Sequence, residues 1–217
     1  IKSAVEAHRR SMPYCMGSLY WQLNDCWPGA SWSSLDYNGN WKALHYAAKD
    51  FFSPILISVT EKKENILFFI VYDGDQLKQA ELVMNLVNFE GEIINSKKIE
   101  FNFPSNSSSV IYEIKRSSFL DSVSLKKVLL RSSILMNNKI ISTSDYIFVR
   151  PKDLKLPKQD FTYEYKKQQD KHIIYIKALS FLYKMHVRCK NDSGVFSRNF
   201  FEMVPGDMVK LEYLPSD

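Results

Sequence analysis

Cysteine is scarce in this sequence of 217 residues, and its three copies are poorly placed for covalent or metal chemistry. Cys15, Cys26 and Cys189 are odd in number, and no pair has the CxxC spacing of redox and zinc motifs. No cluster of cysteine and histidine has the spacing of metal ligands. We therefore predict three free thiols buried in the fold and no metal site.

Long apolar runs and concentrated charge are also missing. No hydrophobic run is long enough to cross a bilayer, so no membrane partner is expected. The net charge is +5, and lysines near the C-terminal end, such as Lys166 and Lys171, are interspersed with Gln and Asp. A nucleic-acid-binding surface usually needs a concentrated basic stripe, so no nucleic-acid partner is expected either.

Tryptophan, by contrast, is concentrated in one short stretch. All four copies lie between Trp21 and Trp41, and none follows. Tryptophan offers a large flat surface with a polar edge. Interleaved with Gln, Asn and Asp, such a surface suits a sugar, which has apolar C–H faces and hydroxyl edges. A well-packed aromatic core beneath a long loop is the alternative interpretation.

The residues around this cluster follow the pattern strand, loop, helix. Residues 19–23 are a short apolar run without proline, which predicts a buried strand. Residues 36–40 mark a turn, and from Trp41 apolar residues recur at helical spacing as far as Phe52. In (β/α) barrels the loop after each strand lies at the active-site face. The aromatic loop is therefore predicted to carry functional side chains.

The remainder of the chain has the pattern of β-sandwiches. A helix is predicted over 4–12, and after residues 52–54 the period changes from helical to strand-like. Seven strand-like segments with turns between them are typical of a sandwich, and a charged segment with two prolines, 150–158, separates them from a smaller β region. The predicted strands are 55–59, 65–72, 80–89, 92–103, 109–114, 127–136 and 139–149, then 161–165, 172–177, 179–188, 195–201 and 208–214.

Four motifs in the first region resemble the β-mannosidases of glycoside hydrolase family 2. They are Tyr20-Trp-Gln-Leu-Asn-Asp25, Trp27-Pro28, Ser31-Trp-Ser-Ser34 and Trp41-Lys-Ala-Leu-His-Tyr46, and they are similar to the eighth strand, loop and helix of that family's barrel. Farther on, Phe200-Phe-Glu-Met-Val-Pro-Gly206 is similar to a turn in the family's C-terminal immunoglobulin-like domain.

The resemblance implies a C-terminal fragment with a mainly β fold. Residues 1–52 would be the last strand and helix portion of a (β/α)8, or TIM, barrel. Residues 53–150 would form an immunoglobulin-like β-sandwich, and residues 151–217 a small C-terminal immunoglobulin-like β-sandwich.

The implied activity is hydrolysis of terminal β-linked mannose with retention and without a cofactor. A retaining glycosidase needs two carboxyl groups about 5–5.5 Å apart. In the family these are glutamates on the fourth and seventh barrel strands, which precede this sequence. No catalytic residue is therefore assigned, and the chain alone is expected to be a non-catalytic scaffold. The expected partners are a β-mannoside in the full-length enzyme and, over the exposed N-terminal segment, the rest of the parent barrel or a second copy. By resemblance to bacterial members, the location is periplasmic or secreted.

Five residues of the aromatic loop are candidates for substrate binding. The resemblance places Trp21 beneath the sugar ring, where its face could favour a developing positive charge. The alternative is that Trp21 only fills the barrel. Asn24 and Asp25 could reach hydroxyls or hold the loop through their own hydrogen bonds. Trp27 and Trp32 could line the entrance or pack against a sandwich.

The sandwich regions contain no cluster of catalytic residue types. Tyr163, Tyr165, Tyr175 and Tyr183 could form a platform for sugar stacking, although tyrosine is common in strands for its β-propensity alone. The alternative function of the chain is therefore a non-catalytic carbohydrate-binding or protein-interaction module of two β-sandwiches.

Overall fold

The chain is mainly β and divides into two compact units. The computed structural model describes residues 1–75, 79–168, 171–190, 192 and 194–216. The first unit comprises Ile1–Ser18, Asp50–Asn88 and Glu92–Lys155, and the second comprises Leu19–Lys49, Phe89–Gly91 and Leu156–Asp217. The described residues form three α-helices, α1 (Lys2–Arg10), α2 (Ala43–Phe51) and α3 (Arg116–Phe119), and a short 3-10 helix at Pro151–Asp153. None of these helices is long and apolar enough to span a membrane.

The first unit contains two antiparallel sheets. One has the strand order β1-β2-β5 and the other β4-β3-β6-β7. Each of the seven strands overlaps a segment predicted as a strand, so this part of the sequence interpretation is confirmed. The strands are β1 (Ile55–Lys62), β2 (Asn65–Tyr72), β3 (Gln79–Asn88), β4 (Ile93–Asn102), β5 (Ser107–Lys115), β6 (Val128–Met136) and β7 (Lys139–Tyr146).

One hydrophobic core joins both sheets of this unit. In β3 the buried residues alternate, because successive side chains of a strand point to opposite faces. Leu82 of β3 is fully buried in the same cluster as Phe68 of β2 and Leu130 of β6. Burial of each such side chain contributes about 1.5–3 kcal/mol.

Helix α1 confirms the helix predicted near the start of the chain. Val5 and Arg9, one turn apart, are its buried residues. The guanidinium of Arg9 donates hydrogen bonds to the backbone oxygens of Phe51 (2.9 Å) and Ser53 (2.6 Å), and it forms an ion pair with Asp73 (2.6 Å). Arg9 therefore connects α1 to residues just before β1 and just after β2.

The second unit contains a four-stranded sheet and a two-stranded sheet. The larger has the order β11-β13-β9-β8, and the smaller pairs β10 with β12. Their shared core includes Ile176, Leu182, Phe201, Met203 and Leu211. The strands are β8 (Phe161–Gln168), β9 (Lys171–Ala178), β10 (Leu182–Met185), β11 (Val195–Phe196), β12 (Phe201–Met203) and β13 (Met208–Leu214).

Two predicted strands of this unit are shorter than expected. The segments predicted over 179–188 and 195–201 contain only β10, β11 and the first residue of β12. The Asn199 side chain accepts a hydrogen bond from Val187 N (2.8 Å) and donates one to Val187 O (2.7 Å). At Val187 the Asn199 side chain thus takes the place of backbone hydrogen bonds between strands.

The buried strand predicted over residues 19–23 is wrong. Leu19 is fully exposed, and Trp21 and Leu23 are exposed as well. A strand is stabilised by backbone hydrogen bonds to neighbouring strands, and among the described residues only an isolated bridge between Asn24 and Leu35 forms beside this segment.

The prediction of buried cysteines is only partly met. The thiols are free, as predicted, and Cys15 is half-buried. Cys26 and Cys189 are exposed, so burial is wrong for these two. Both lie outside the helices and strands, in segments where little apolar surface covers them.

Candidate substrate-binding loop

The aromatic loop, residues 19–42 of the second unit, is held together by its own backbone. Leu35 N donates to Leu23 O (2.8 Å), and Asp25 N donates to Leu35 O (3.2 Å). Lys42 N donates to Ser34 O (2.9 Å). These bonds bring three stretches that are distant along the loop side by side, just before α2 begins.

A second fixed point is the turn predicted over residues 36–40, which the structure confirms. Asp36 Oδ1 accepts hydrogen bonds from the backbone nitrogens of Asn38 (2.9 Å) and Asn40 (2.8 Å). Its other oxygen accepts one from the Asn40 side chain (2.8 Å). Aspartate favours turns because its carboxylate can bond to the backbone in this way.

Asp25 is the buried centre of the loop. Its Oδ2 accepts a hydrogen bond from Lys42 Nζ at 2.7 Å, and its Oδ1 accepts one from the hydroxyl of Ser31. The same ammonium donates to Ser33 Oγ at 2.7 Å. The hydrogen bond from Lys42, followed by that from Ser31, lowers the pKa of the Asp25 carboxyl to about 2. Of the two roles open for Asp25, these contacts are those of a loop-holding residue.

Lys42 is the residue of the loop's polar interior that sequence reasoning missed. It is the second residue of the motif that begins at Trp41, but its position along the chain does not indicate a contact with Asp25. A buried carboxylate is normally paired with a cation, but only the structure shows that Asp25 is buried, so no signal for this pair was present in the sequence.

Three of the four tryptophans present exposed rings. Trp21, Trp27 and Trp32 have 74%, 72% and 67% of their surface exposed. Neither Trp27 nor Trp32 is therefore packed into the second unit. Trp41 differs, because it is half-buried and the centroid of its ring lies 4.3 Å from the centroid of the His45 ring.

Two of the predicted binding residues, Asn24 and Asp25, share a hydrogen bond. Asn24 is exposed, and its Nδ2 donates to the backbone oxygen of Asp25 at 3.2 Å. The loop thus combines a rigid polar interior with an aromatic exterior.

The chemistry that this loop can perform is contact rather than bond cleavage. The carboxylate of Asp25 is engaged by Lys42, and that of Asp36 by its turn. Neither is free to act as an acid, base or nucleophile. Among the residues that the structure describes, no three side chains of His, Cys, Asp or Glu lie close enough to hold a metal ion.

Comparisons with known proteins point to one group. A family model described as "Mannosidase Ig/CBM-like domain" matches residues 64–153. Beta-mannosidase A of Emericella nidulans is 27% identical over 244 residues, which cover 100% of this chain and 25% of that protein. Beta-mannosidase of Bos taurus is 45% identical over 91 residues, which cover 39% of this chain and 10% of that protein.

Solved structures agree in fold. The crystal structure of a β-D-mannosidase from Dictyoglomus thermophilum is 23% identical and has a TM-score of 0.84, covering 98% of this chain and 26% of the other. An exo-chitosanase from Amycolatopsis orientalis is 14% identical, with a TM-score of 0.72, covering 98% of this chain and 30% of the other. These identities are low, so the structural likeness shows the fold alone.

Fold and relatives together define the class: the β-rich C-terminal region of glycoside hydrolases. Within that class, the chain matches the C-terminal region of β-mannosidases, and the resemblance inferred from its motifs is confirmed. The chain spans about a quarter of the length of the curated relatives that it matches throughout.

Proposed function

We propose that this chain is the C-terminal part of a retaining β-mannosidase, which hydrolyses terminal β-linked mannose, and that alone it is a non-catalytic scaffold. In this proposal residues 1–52 complete a TIM barrel, while residues 53–150 and 151–217 are two immunoglobulin-like sandwiches. The match of relatives to the whole chain and the two antiparallel units support it.

The observation that carries the proposal is the contrast within the aromatic loop. Its buried polar groups form hydrogen bonds with one another, whereas the rings of Trp21, Trp27 and Trp32 are exposed. Exposed apolar surface of this kind usually marks a binding or interaction site. We infer that the rest of the parent barrel and a β-mannoside cover these rings in the complete enzyme.

Each predicted binding residue then has a separate role. Trp21 forms the floor beneath the sugar ring, because a tryptophan face attracts the positive charge that develops there. Trp27 and Trp32 line the entrance, and the exposed Asn24 reaches a hydroxyl. Asp25 positions the loop through Lys42.

The first test is activity of the chain alone. We expect no hydrolysis of p-nitrophenyl β-D-mannopyranoside above the rate in buffer, because a retaining pair of carboxylates is needed. The complete enzyme, purified in the same way, is the positive control. Turnover by the chain that disappears in Asp25→Asn would overturn the proposal.

The second test replaces Trp21 in the complete enzyme. If the ring acts mainly in the transition state, Trp21→Ala lowers kcat and kcat/KM together. The loss should be roughly 1–3 kcal/mol, on the scale of stacking on aromatic platforms. Trp21→Phe keeps a ring and should retain part of the activity. Normal kcat/KM in a folded Trp21→Ala enzyme, with a lower Tm, would instead assign Trp21 to packing.

A further inference from the structure

The second unit carries a groove that the proposed function does not use. Its volume is about 750 Å³, within the range of roughly 300–1,000 Å³ that is common for ligand pockets. Residues of β8 and β9, residues 185–190 and a few residues near the C-terminal end of the chain line it. We call it the β8 groove.

Three aromatic rings lie in a row along this groove. Phe161, Tyr163 and Tyr165 alternate along β8 and line the groove together, since alternate residues of a strand share a face. Tyr163 is paired with Ile176 of β9 and Tyr165 with Ile174. Successive rings are therefore spaced by about 6.5–7 Å along the strand.

The second layer of the unit leaves these rings uncovered. The core cluster contains residues of β9, β10, β12 and β13, but no described residue of β8 belongs to it. Tyr163 is 71% exposed and Tyr165 52% exposed. Edge strand β8 thus presents a row of open ring faces.

The rim of the groove is polar and carries a small positive charge. Arg188 and Lys190 line it, and the Tyr165 hydroxyl is hydrogen-bonded to His172 Nδ1 at 2.8 Å. Asp192 is not available to a ligand, because its carboxylate accepts hydrogen bonds from the hydroxyls of Tyr213 and Ser216. The groove therefore offers ring faces on one side and mainly hydrogen-bond donors around them.

An oligosaccharide has the chemistry that this arrangement recognises. Its C–H faces match the open rings, and its hydroxyl oxygens match the donors at the rim. Addition of a peptide strand to the edge of β8 is less favourable, because Lys166 and Lys167 near its end are charges of the kind that protect edge strands.

We propose that the β8 groove binds an oligosaccharide, with Tyr163 and Tyr165 stacking on sugar rings and Arg188 and Lys190 contacting hydroxyls. This site needs no catalytic residue and does not involve the aromatic loop. It stands independently of the β-mannosidase activity proposed above.

The test is isothermal titration of the 217-residue chain with three probes: β-1,4-mannohexaose, cellohexaose and chitohexaose. We expect saturable binding of at least one of them. Tyr163→Ala and Tyr165→Ala should each weaken it about three- to tenfold, on the scale of aromatic contacts. Tyr175→Ala is the matched control, because Tyr175 lies in the neighbouring strand but does not line the groove, and it should leave binding unchanged.

Each contrary outcome overturns the proposal. If no probe binds at millimolar concentration to a chain whose cooperative unfolding shows that it is folded, the groove is not an oligosaccharide site. Binding that is lost in Trp21→Ala but kept in Tyr163→Ala would place the sugar on the aromatic loop. Displacement of a groove-bound apolar dye by a peptide, but by none of the sugars, would assign the groove to a peptide.

Discussion

Asp25 and Lys42 help to hold the conformation of the aromatic loop although they are distant along it. Asp25 could be selected from the sequence because it follows an apolar run and lies beside Asn24. Its ion pair with Lys42 could not be predicted, since that contact depends on how the loop folds back. The sequence was enough to select Asp25 as a candidate, but it was not enough to assign the role of Asp25 in holding the loop.

The depressed pKa of Asp25 predicts an acid-induced loosening of this loop. The folded pKa is about 2, below the ordinary value of about 3.9. The carboxylate therefore contributes fully to loop stability above about pH 4, and its contribution is lost as the pH falls towards 2. Tryptophan fluorescence can follow this change, because all four tryptophans lie in the loop.

Two variants separate this transition from other acid effects. Asp25→Asn should abolish it. Asp192→Asn should preserve it, although the pKa of Asp192 is also lowered to about 2, because Asp192 bonds to Ser216 and Tyr213 and not to the loop. A transition centred above pH 5 would contradict the assignment to Asp25.

One buried cation, Arg9, helps to hold helix α1 in place. Periodicity alone predicted the helix, because an amphipathic helix repeats every 3.6 residues. Arg9 is charged and so is not among the apolar residues of that repeat, yet the structure buries it against the backbone oxygens of Phe51 and Ser53. Those acceptors are more than forty positions away in the sequence.

Replacing Arg9 should destabilise the first unit. Arg9→Met removes hydrogen bonds from a charged donor and leaves the buried oxygen of Phe51 without this partner, so the free energy of unfolding should fall by about 1.5–3 kcal/mol. Urea unfolding followed by far-UV circular dichroism measures the change. Lys2→Met, which removes the exposed lysine from its 3.7 Å ion pair with Glu6 in α1, is the control and should change the free energy by less than about 1 kcal/mol. Equal effects of the two variants would show that Arg9 is not an anchor.

The strands were predicted with uneven success, for a physical reason. In the first unit β3 alternates and most of β2 is buried, and the turns between strands are local, so overlapping segments could be found. The segment over 19–23 also has a strand-like composition, but a strand forms only when neighbours satisfy its backbone. The composition of a segment does not show whether neighbouring strands are present to bond to its backbone.

On the scale of the whole chain, several of the exposed large apolar side chains belong to the aromatic loop. Trp27 and Trp32 are exposed, as are Leu19 and Leu23. The proposed explanation is that the rest of a parent barrel covers them. In the chain alone this surface faces solvent.

The chain alone should therefore self-associate as its concentration rises. Sedimentation velocity over a concentration series measures this. Trp27→Ser combined with Trp32→Ser should reduce the association. The control combines Ile140→Ser with Met208→Ser, two exposed apolar residues outside the loop, and should leave association unchanged. If the chain is a monomer at all concentrations, the inference that the exposed tryptophan rings cause self-association is contradicted.

Local pattern in the sequence was enough for α1 and α2, for the seven strands of the first unit and for the likeness to β-mannosidases, because periodicity and short motifs are properties of neighbouring residues. Only the tertiary structure separated the tyrosines: Tyr163 and Tyr165 share an open groove, whereas Tyr175 does not line it. It also showed that Asp25 is paired and that three tryptophans are exposed. Pairing and exposure depend on which distant segments come together, and a linear pattern does not contain that information.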